Sequence, residues 1–438
     1  MGRVAAGALC LGVLLLTGAG VCQIPVASVA PVGSTLTLAQ AESTAVANQP
    51  RLLAAQLRSR ASAQRIREAW SGLMPTVAFN ATGVRVADTG ASTAAGAITT
   101  SAVSDRFAYG GNLVQMVTDF GRTSGLVETA RSLADAQKNE ETLTGAQIRL
   151  NVRRAFFQVM GAEAVLRAAR EAQANRQLIS KQIGALAQSQ LRSTLDVNFA
   201  NVLESEADLA VVRAESMVQQ QRVHLATAMG ETQPITAMLA EEALPAALLP
   251  DATAFLAQAL AQRADLSAAV SLEHAAERFA SAEKRLSYPT LNVIGAAGQL
   301  PYHDHTLRDD YAAIGFNLNI PIFNGGLFAA RRSEAEFEAR ARTKDVDEAK
   351  LEVNEQVRGT WYQANEAYRS LNVSARLVAQ SREALRLAQA RYEAGLGSIV
   401  ELNEAQLSET SAEITAVEAN YDYLTRRAEL DYAAGLLN

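Results

Sequence analysis

A chain of 438 residues with a formal net charge of −6 is long enough for two or three compact domains. Its aromatic residues make up only 5% and its prolines number 10, a composition typical of long helices rather than of many short elements. The mild acidity excludes a basic nucleic-acid-binding surface, so no nucleic acid partner is predicted.

The first 30 residues are predicted to be a secretory signal peptide. An apolar run over 4–16 follows a positive charge and is too short to span a bilayer. Ser28-Val29-Ala30 supplies a small-residue cleavage site. Cys10 lies inside this segment, and Cys22 is either removed with it or retained as a lipidated first residue.

The rest of the chain contains the same order of predicted secondary-structure elements twice. Pro75-Thr76, at the end of a helical stretch, recurs as Pro289-Thr290. Phe156-Phe157-Gln158 recurs about 205 residues later as Trp361-Tyr362-Gln363. The unit is helix, two strands, long helix and returning helix, and we predict that it occupies 31–245 and then 246–438.

In the first copy, a helical stretch from Leu36 to Gly72 is broken near Pro50. The predicted elements that follow are strands at about 76–86 and 106–118, a long helix at about 121–188 and a returning helix at about 194–229. The matching elements of the second copy are strands at about 290–299 and 310–320, a long helix at about 325–394 and a returning helix at about 398–434.

The strands alternate polar and apolar residues over a length of about 9–11 residues, which is typical of transmembrane β-strands. Either hairpin taken alone fits an ordinary soluble hairpin better, but the signal peptide and the repeat favour the transmembrane interpretation. The long helices carry a seven-residue period, which predicts left-handed winding against neighbouring helices. In the second copy this row is Val357, Ala364, Leu371, Val378, Leu385 and Tyr392.

No catalytic constellation is present, and we predict neither an enzyme nor a cofactor. His224 and His274 lie in helical stretches without partners at metal-ligand spacing. His303-Asp304-His305 lies between two strands, where a solvated loop is the first interpretation and a divalent-cation site the second. No metal site is predicted.

Two motifs carry a family resemblance. Ile320-Pro321-Ile322-Phe323-Asn324-Gly325-Gly326 joins the last strand to the long helix, and Tyr392–Glu401 contains the Gly395-Leu396-Gly397-Ser398 turn. With the paired strand entries at Pro75 and Pro289, this layout resembles the TolC-like outer-membrane factors of bacterial export systems.

The resemblance implies a mainly α protein with a small β-barrel part. Three chains would form a homotrimer, with a 12-stranded outer-membrane barrel on a long periplasmic α-helical barrel. The implied function is a passive exit duct of a tripartite efflux or type I secretion system, partnered by a periplasmic adaptor and an inner-membrane transporter. Elementary physics agrees, because four strands cannot close a barrel and a membrane tolerates no open sheet edge.

The resemblance also implies functional residues near the two turns. Glu401 and Glu404 match carboxylates that line the periplasmic entrance, although a solvated helix face fits them as well. Tyr392 and Asp196 match residues that hold the entrance closed. The implied contact points for the adaptor are the tip residues Leu191, Gly395, Leu396 and Ser398.

Two tip residues depart from the family pattern. Gly397 stands where a relative has an arginine that takes part in closing the entrance, and Gln190 replaces the glycine usual in the first tip. A rival interpretation of the whole chain is a secreted coiled-coil structural or adhesive protein. Lipid-length amphipathic strands in both copies favour the channel.

Overall fold

The computed structural model describes residues 35–85, 105–190, 192–245, 247–303 and 308–438. The predicted signal peptide, both cysteines, the predicted loop at 88–104 and the tip residue Leu191 lie outside these ranges. So do Asp304 and His305 of the histidine loop.

The described chain contains the predicted unit twice. The first copy consists of β1 (Thr35–Leu36), α1 (Leu38–Asn48), α2 (Pro50–Ser71), β2 (Thr76–Val84), β3 (Arg106–Thr118), α3 (Arg122–Gln188), α4 (Thr194–Met229) and β4 (Met238–Leu239). The second copy consists of α5 (Thr253–Gln262), α6 (Ala264–Glu283), a 3₁₀ turn (Lys284–Ser287), β5 (Thr290–Tyr302), β6 (Asp310–Asn319), α7 (Leu327–Glu393) and α8 (Ile399–Ala433).

Both long helices are continuous, as the uninterrupted helical pattern predicts. Each of α3 and α7 contains 67 residues, which corresponds to about 100 Å at 1.5 Å per residue. A glycine with positive φ precedes each of them: Gly121 has φ 89° and Gly326 has φ 85°. This left-handed conformation, which costs a side-chain-bearing residue energy, turns the chain from strand into helix.

The four long strands form one antiparallel sheet in the order β2-β3-β5-β6. One face carries the apolar side chains, and pairing aligns Val77 with Leu113 and Phe316 with Val293. On the other face Asn80 donates to Asn112 at 2.9 Å, and Asn292 pairs with Asn317. Within the described residues β2 and β6 have no second neighbour, so both edges of the sheet are open.

The helices form a single layer. With the sheet placed at the top, the long helices α3 and α7 run downward from it. Below their midpoint, α3 packs on α4 and α8, and α8 packs on α7. Above it, α2 packs on α3, and α6 lies between α3 and α7. The short helices continue the returning ones, since Gln49 before α2 donates to the Thr227 carbonyl at 3.0 Å and Arg263 before α6 donates to the Ala433 carbonyl at 3.3 Å.

Where these helices meet end to end, short segments cover one face of the layer. α1 packs on α3 around the fully buried Phe156, and α5 packs on α7 around the fully buried Val357. Lower on α7 the small residues Ala367, Ser374 and Ser381 are all buried. Such small contacts let two helices approach and form a wall rather than a thick bundle.

Among the described residues, no helix is both long enough and sufficiently apolar to cross a membrane.

Candidate functional site

The turn between α7 and α8 forms one tip of the layer, at the end remote from the sheet. Gly395 ends α7 with φ 72°, and the Leu396 amide donates to the Arg391 carbonyl at 2.8 Å. The Ser398 hydroxyl accepts from the Glu401 amide at 3.1 Å and so caps α8. Leu396 is 74% exposed at the apex.

The tip between α3 and α4 is built with less favourable residues. Gln190 adopts φ 59°, a left-handed conformation that glycine would adopt without strain. Ser193 caps α4 by accepting from the Leu195 amide at 3.1 Å. Gln190 therefore replaces the usual glycine but keeps the left-handed backbone conformation that a glycine would adopt there.

An arginine of the first tip contacts the second tip. The Arg192 guanidinium lies over the Tyr392 ring at 4.1 Å from its centroid and donates to the Tyr392 carbonyl at 2.7 Å. Cation–π stacking and a hydrogen bond from a charged donor each stabilise this contact. Sequence reasoning missed Arg192 because nothing in its local pattern indicates that it faces a residue 200 positions away.

Tyr392 is buried in an apolar cluster formed by Ile183, Ala200, Ile399 and Leu402. Its hydroxyl has no hydrogen-bond partner within the described part of the chain. Burial raises the pKa of Tyr392, while Arg192 opposes this rise and Asp196 adds to it. The charge of Asp196 thus acts on the ring, but the two side chains form no hydrogen bond, and their role in closing the entrance stays a prediction.

Glu401 and Glu404 are both exposed on α8. Glu401 pairs with Arg391 across the tip, with 3.2 Å between its carboxylate and the guanidinium Nε. The two glutamates begin a stripe of exposed positions spaced alternately three and four apart along α8. That stripe consists of Glu401, Glu404, Ser408, Ser411, Thr415, Glu418 and Asp422.

A second group of charges lies between the hairpins and was not anticipated from the sequence. Arg382 of α7 donates to Glu413 of α8 at 2.6 Å, and Glu409 lies one turn away on α8. Arg176 of α3 is 7% exposed and its Nη1 has no partner among the described groups. Burial, then the neighbouring Glu413, raises the pKa of Glu409 to about 7.

The histidine loop is described only in part. His303 lies 2.9 Å from Asp309, measured from Nε2 to Oδ1. The described residues contain no cluster of three or more histidine, cysteine or acidic side chains that could hold a metal ion.

A layer of helices about 100 Å long, with an amphipathic sheet of membrane-spanning length at one end and charged turns at the other, defines the class of outer-membrane export channels. The chain belongs to the outer membrane efflux protein family, whose model matches residues 42–231 and 255–436. This family is made up of channel proteins, and the chain is an outer-membrane exit duct for efflux or type I secretion.

Similar proteins agree with this assignment. The outer membrane protein TolC of Salmonella enteritidis is 24% identical over 346 residues, which cover 74% of this chain and 68% of TolC. The alkaline protease secretion protein AprF of Pseudomonas aeruginosa is 26% identical over 192 residues, covering 42% and 39%. The fold matches the outer membrane protein VceC of Vibrio cholerae with a TM-score of 0.78, at 19% identity over 91% of this chain and 96% of VceC.

Proposed function

We propose that three copies of the chain assemble into a passive conduit. Their sheets close one 12-stranded barrel in the outer membrane, and their helices close one tunnel below it in the periplasm. An inner-membrane transporter supplies the energy and delivers cargo through a periplasmic adaptor, while the conduit carries out no chemistry. The observation that carries this proposal is the pair of open edges that one chain leaves in both its sheet and its helix layer.

The sheet supports closure between copies. Lipid offers no hydrogen-bond partner to a strand edge, so β2 and β6 need neighbours if the sheet spans a membrane. The apolar face of the sheet is exposed in the single chain: Phe79 is 72%, Ile314 83% and Phe316 75% exposed. In a barrel this face meets lipid and the asparagine face lines the lumen.

The helix layer supports the same closure. Its lower edges are α4 and α7, and both expose apolar side chains along their length. On α4 these include Leu195, Val202, Leu209 and Val212, and on the lower half of α7 they include Tyr362, Val373, Leu377 and Leu387. Packing α7 of one copy on α4 of the next would bury both rows and leave no apolar edge in water.

The residues near the tips have distinct proposed roles. Glu401 and Glu404 form acidic rings at the periplasmic entrance, and Tyr392 with Asp196 helps to hold it closed. Arg391, which pairs with Glu401, partly neutralises one ring. The adaptor docks on the apexes, where Leu396 is the exposed apolar contact beside Gly395 and Ser398 and Leu191 is the matching residue of the first tip.

Fractionation of cells that express the full chain, followed by chemical cross-linking, tests the assembly. We expect the protein in the outer-membrane fraction, cross-linked up to a trimer, and we expect ion conductance when the trimer is added to a planar lipid bilayer. Recovery of a secreted, non-conducting rod would contradict the proposal and support the structural or adhesive alternative.

A further inference from the structure

A polar cavity of about 760 Å³ lies where α8 ends and α6 begins. Four guanidinium groups from separate segments line it: Arg51 of α2, Arg154 of α3, Arg426 of α8 and Arg263 just before α6. The carboxylates that line it are fewer, namely Asp265 and Glu429. Such a concentration of arginine differs from the acidic stripe lower on α8.

One of the four arginines is fully engaged by the protein. Arg263 donates through Nε to Asp265 at 3.0 Å and through Nη2 to Gln356 at 2.9 Å. Burial opposes ionisation of Asp265, but the hydrogen bond and charge of Arg263 outweigh it and hold the pKa of Asp265 below its ordinary value. This ion pair is neutral as a whole and fixes the wall of the cavity.

The other three arginines outnumber their carboxylate partners. Glu429 accepts from Arg154 at 2.7 Å and from Arg426 at 3.2 Å, and Asp422 accepts from Arg426 at 3.2 Å. Within the described ranges, Arg51 donates only to the neutral side chain of Gln147, at 2.8 Å. One positive charge per chain therefore remains unneutralised.

Donor groups also remain for a ligand. Among the described residues, Nη1 of Arg154, Nη2 of Arg426 and both Nε and Nη1 of Arg51 have no acceptor within hydrogen-bond distance. Guanidinium groups present paired N–H donors that match the oxygens of carboxylate and phosphate. The cavity is thus rich in donors suited to oxyanions.

The cavity opens on the face of the layer that the short segments leave free. The neighbouring residue Arg153 does not line the cavity and instead donates to Glu42 of α1. Arg427, adjacent to Arg426, likewise lies over the Phe255 ring of α5 at 5.6 Å from its centroid. In the proposed tunnel, α1 and α5 would lie on the outer face of the helix layer. The arginine cavity opens on the opposite face and therefore faces the lumen.

We infer that this cavity is a lumenal binding site for the phosphate or carboxylate groups of anionic cargo. The inference rests on the proposed trimeric conduit, in which three such cavities form a cationic band at one level of the tunnel. The band attracts anionic cargo from the lumen, and its open mouth lets the cargo leave again.

Inorganic pyrophosphate is the probe for this site, and glucose is its uncharged counterpart. Calorimetric titration of the detergent-purified trimer with pyrophosphate should show binding at one site per chain, and glucose should show none. The double variant Arg51→Gln with Arg426→Gln should weaken pyrophosphate binding by about tenfold or more, because it removes two of the charged donors. If that variant fails to assemble, Arg51→Gln alone removes the unneutralised charge from an exposed position.

A matched control removes two exposed arginines that lie outside the cavity. Arg60 of α2 and Arg358 of α7 are exposed and do not line it, so their change to Gln should leave binding unaltered. Absence of pyrophosphate binding to the unmodified trimer, or equal binding by both double variants, would overturn the site. Conductance of the same preparations reports separately on the channel: loss of conductance with binding retained would count against the conduit alone.

Discussion

Among individual residues, the proposed entrance acids and the tip arginine Arg192 have different roles. Glu401 and Glu404 are exposed and follow the capped start of α8, so in a trimer they would bring like charges together near the axis. Arg192 instead ties the first hairpin to the second through Tyr392. The two glutamates and Arg192 all lie within a few residues of a turn. Only the glutamates could be recognised from the sequence, because their spacing of three residues places them on one helix face.

We predict that Glu401→Gln with Glu404→Gln weakens block by divalent cations and lowers cation selectivity. Crowded carboxylates select and bind cations, and the amides cannot. Single-channel conductance in planar bilayers measures both effects. Glu334→Gln with Glu338→Gln, on α7 near the sheet, is the control pair. An equal response of the two pairs would show that Glu401 and Glu404 form only a solvated face.

We predict that Arg192→Ala increases the resting conductance and lowers the free energy of unfolding by about 2–4 kcal/mol, the value of one charged hydrogen bond together with one cation–π contact. Arg386→Ala is the control, because Arg386 pairs only with Glu383 on its own helix. Unchanged conductance would mean that the contact between Arg192 and Tyr392 does not restrain the tips.

Glu409 makes stability depend on pH. Its pKa is raised from 4.5 to about 7, so the folded chain binds more protons than the unfolded chain between these values. Stability contributed by the protonated group is complete below about pH 4.5 and is lost as pH rises through about 7. The groups that face Glu409 are Glu413 on its own helix, Arg382 of α7, and Arg176 of α3 with Glu206 of α4 behind it.

We therefore predict that Glu409→Gln flattens the dependence of the thermal unfolding midpoint on pH between about 4.5 and 7. The amide stays neutral at every pH in this range and retains a hydrogen-bond donor toward Glu413. Glu383→Gln, at an exposed position of α7, should leave the dependence unchanged. A slope for Glu409→Gln equal to that of the unmodified protein would contradict the prediction.

At the scale of elements, the junction between strand and long helix depends on backbone conformation more than on contacts. A side chain at Gly326 would meet no atom within 4 Å, yet the residue has φ 85°. Gly359, in the middle of α7, is equally free of neighbours and has ordinary helical φ. Substituting these two glycines therefore tests the effect of backbone conformation alone, because an added side chain would contact nothing at either position.

We predict that Gly326→Ala destabilises the chain by about 1–2 kcal/mol, because an L-residue is strained in the left-handed region. Gly359→Ala should instead stabilise it by about 0.5–1 kcal/mol, since glycine weakens a helix interior. Chemical denaturation of both variants measures the difference. If both variants changed the free energy of unfolding in the same direction, the left-handed conformation at Gly326 would not be the reason that glycine is needed there.

At the scale of the whole molecule, each chain is an incomplete wall. In the part of the chain that the structure describes, the sheet has two open edges and an exposed apolar face, and the helix layer has two apolar edges. Membrane insertion and assembly are consequently linked, because the same copies that satisfy the strand edges also cover the helices.

We predict that Phe316→Arg impairs assembly, since an arginine on the lipid face of a barrel costs about 2–4 kcal/mol at the midplane. Asn317→Arg places the same charge one residue further along β6, on the asparagine face, and should be tolerated. The yield of heat-resistant trimer in the outer membrane measures both. Equal yields would show that the two faces of β6 do not divide between lipid and lumen.

The sequence alone determined the duplicated order of elements, the unbroken long helices and the alternation of the strands. These features follow from local periodicity and from proline and glycine positions, which act over a few residues. It also located the tips, because Gly395 and Ser398 are strong turn and capping residues. The family resemblance rested on the same local motifs.

Contacts between residues far apart in the chain could be known only from the folded structure. Arg192 contacts Tyr392, Arg176 lies buried beside charges from two other helices, and Arg51 shares a cavity with Arg154 and Arg426. Each of these contacts joins segments far apart in the chain, and none has a period or motif of its own. Helix packing fixes them, since it sets which faces of α3, α7 and α8 turn toward one another.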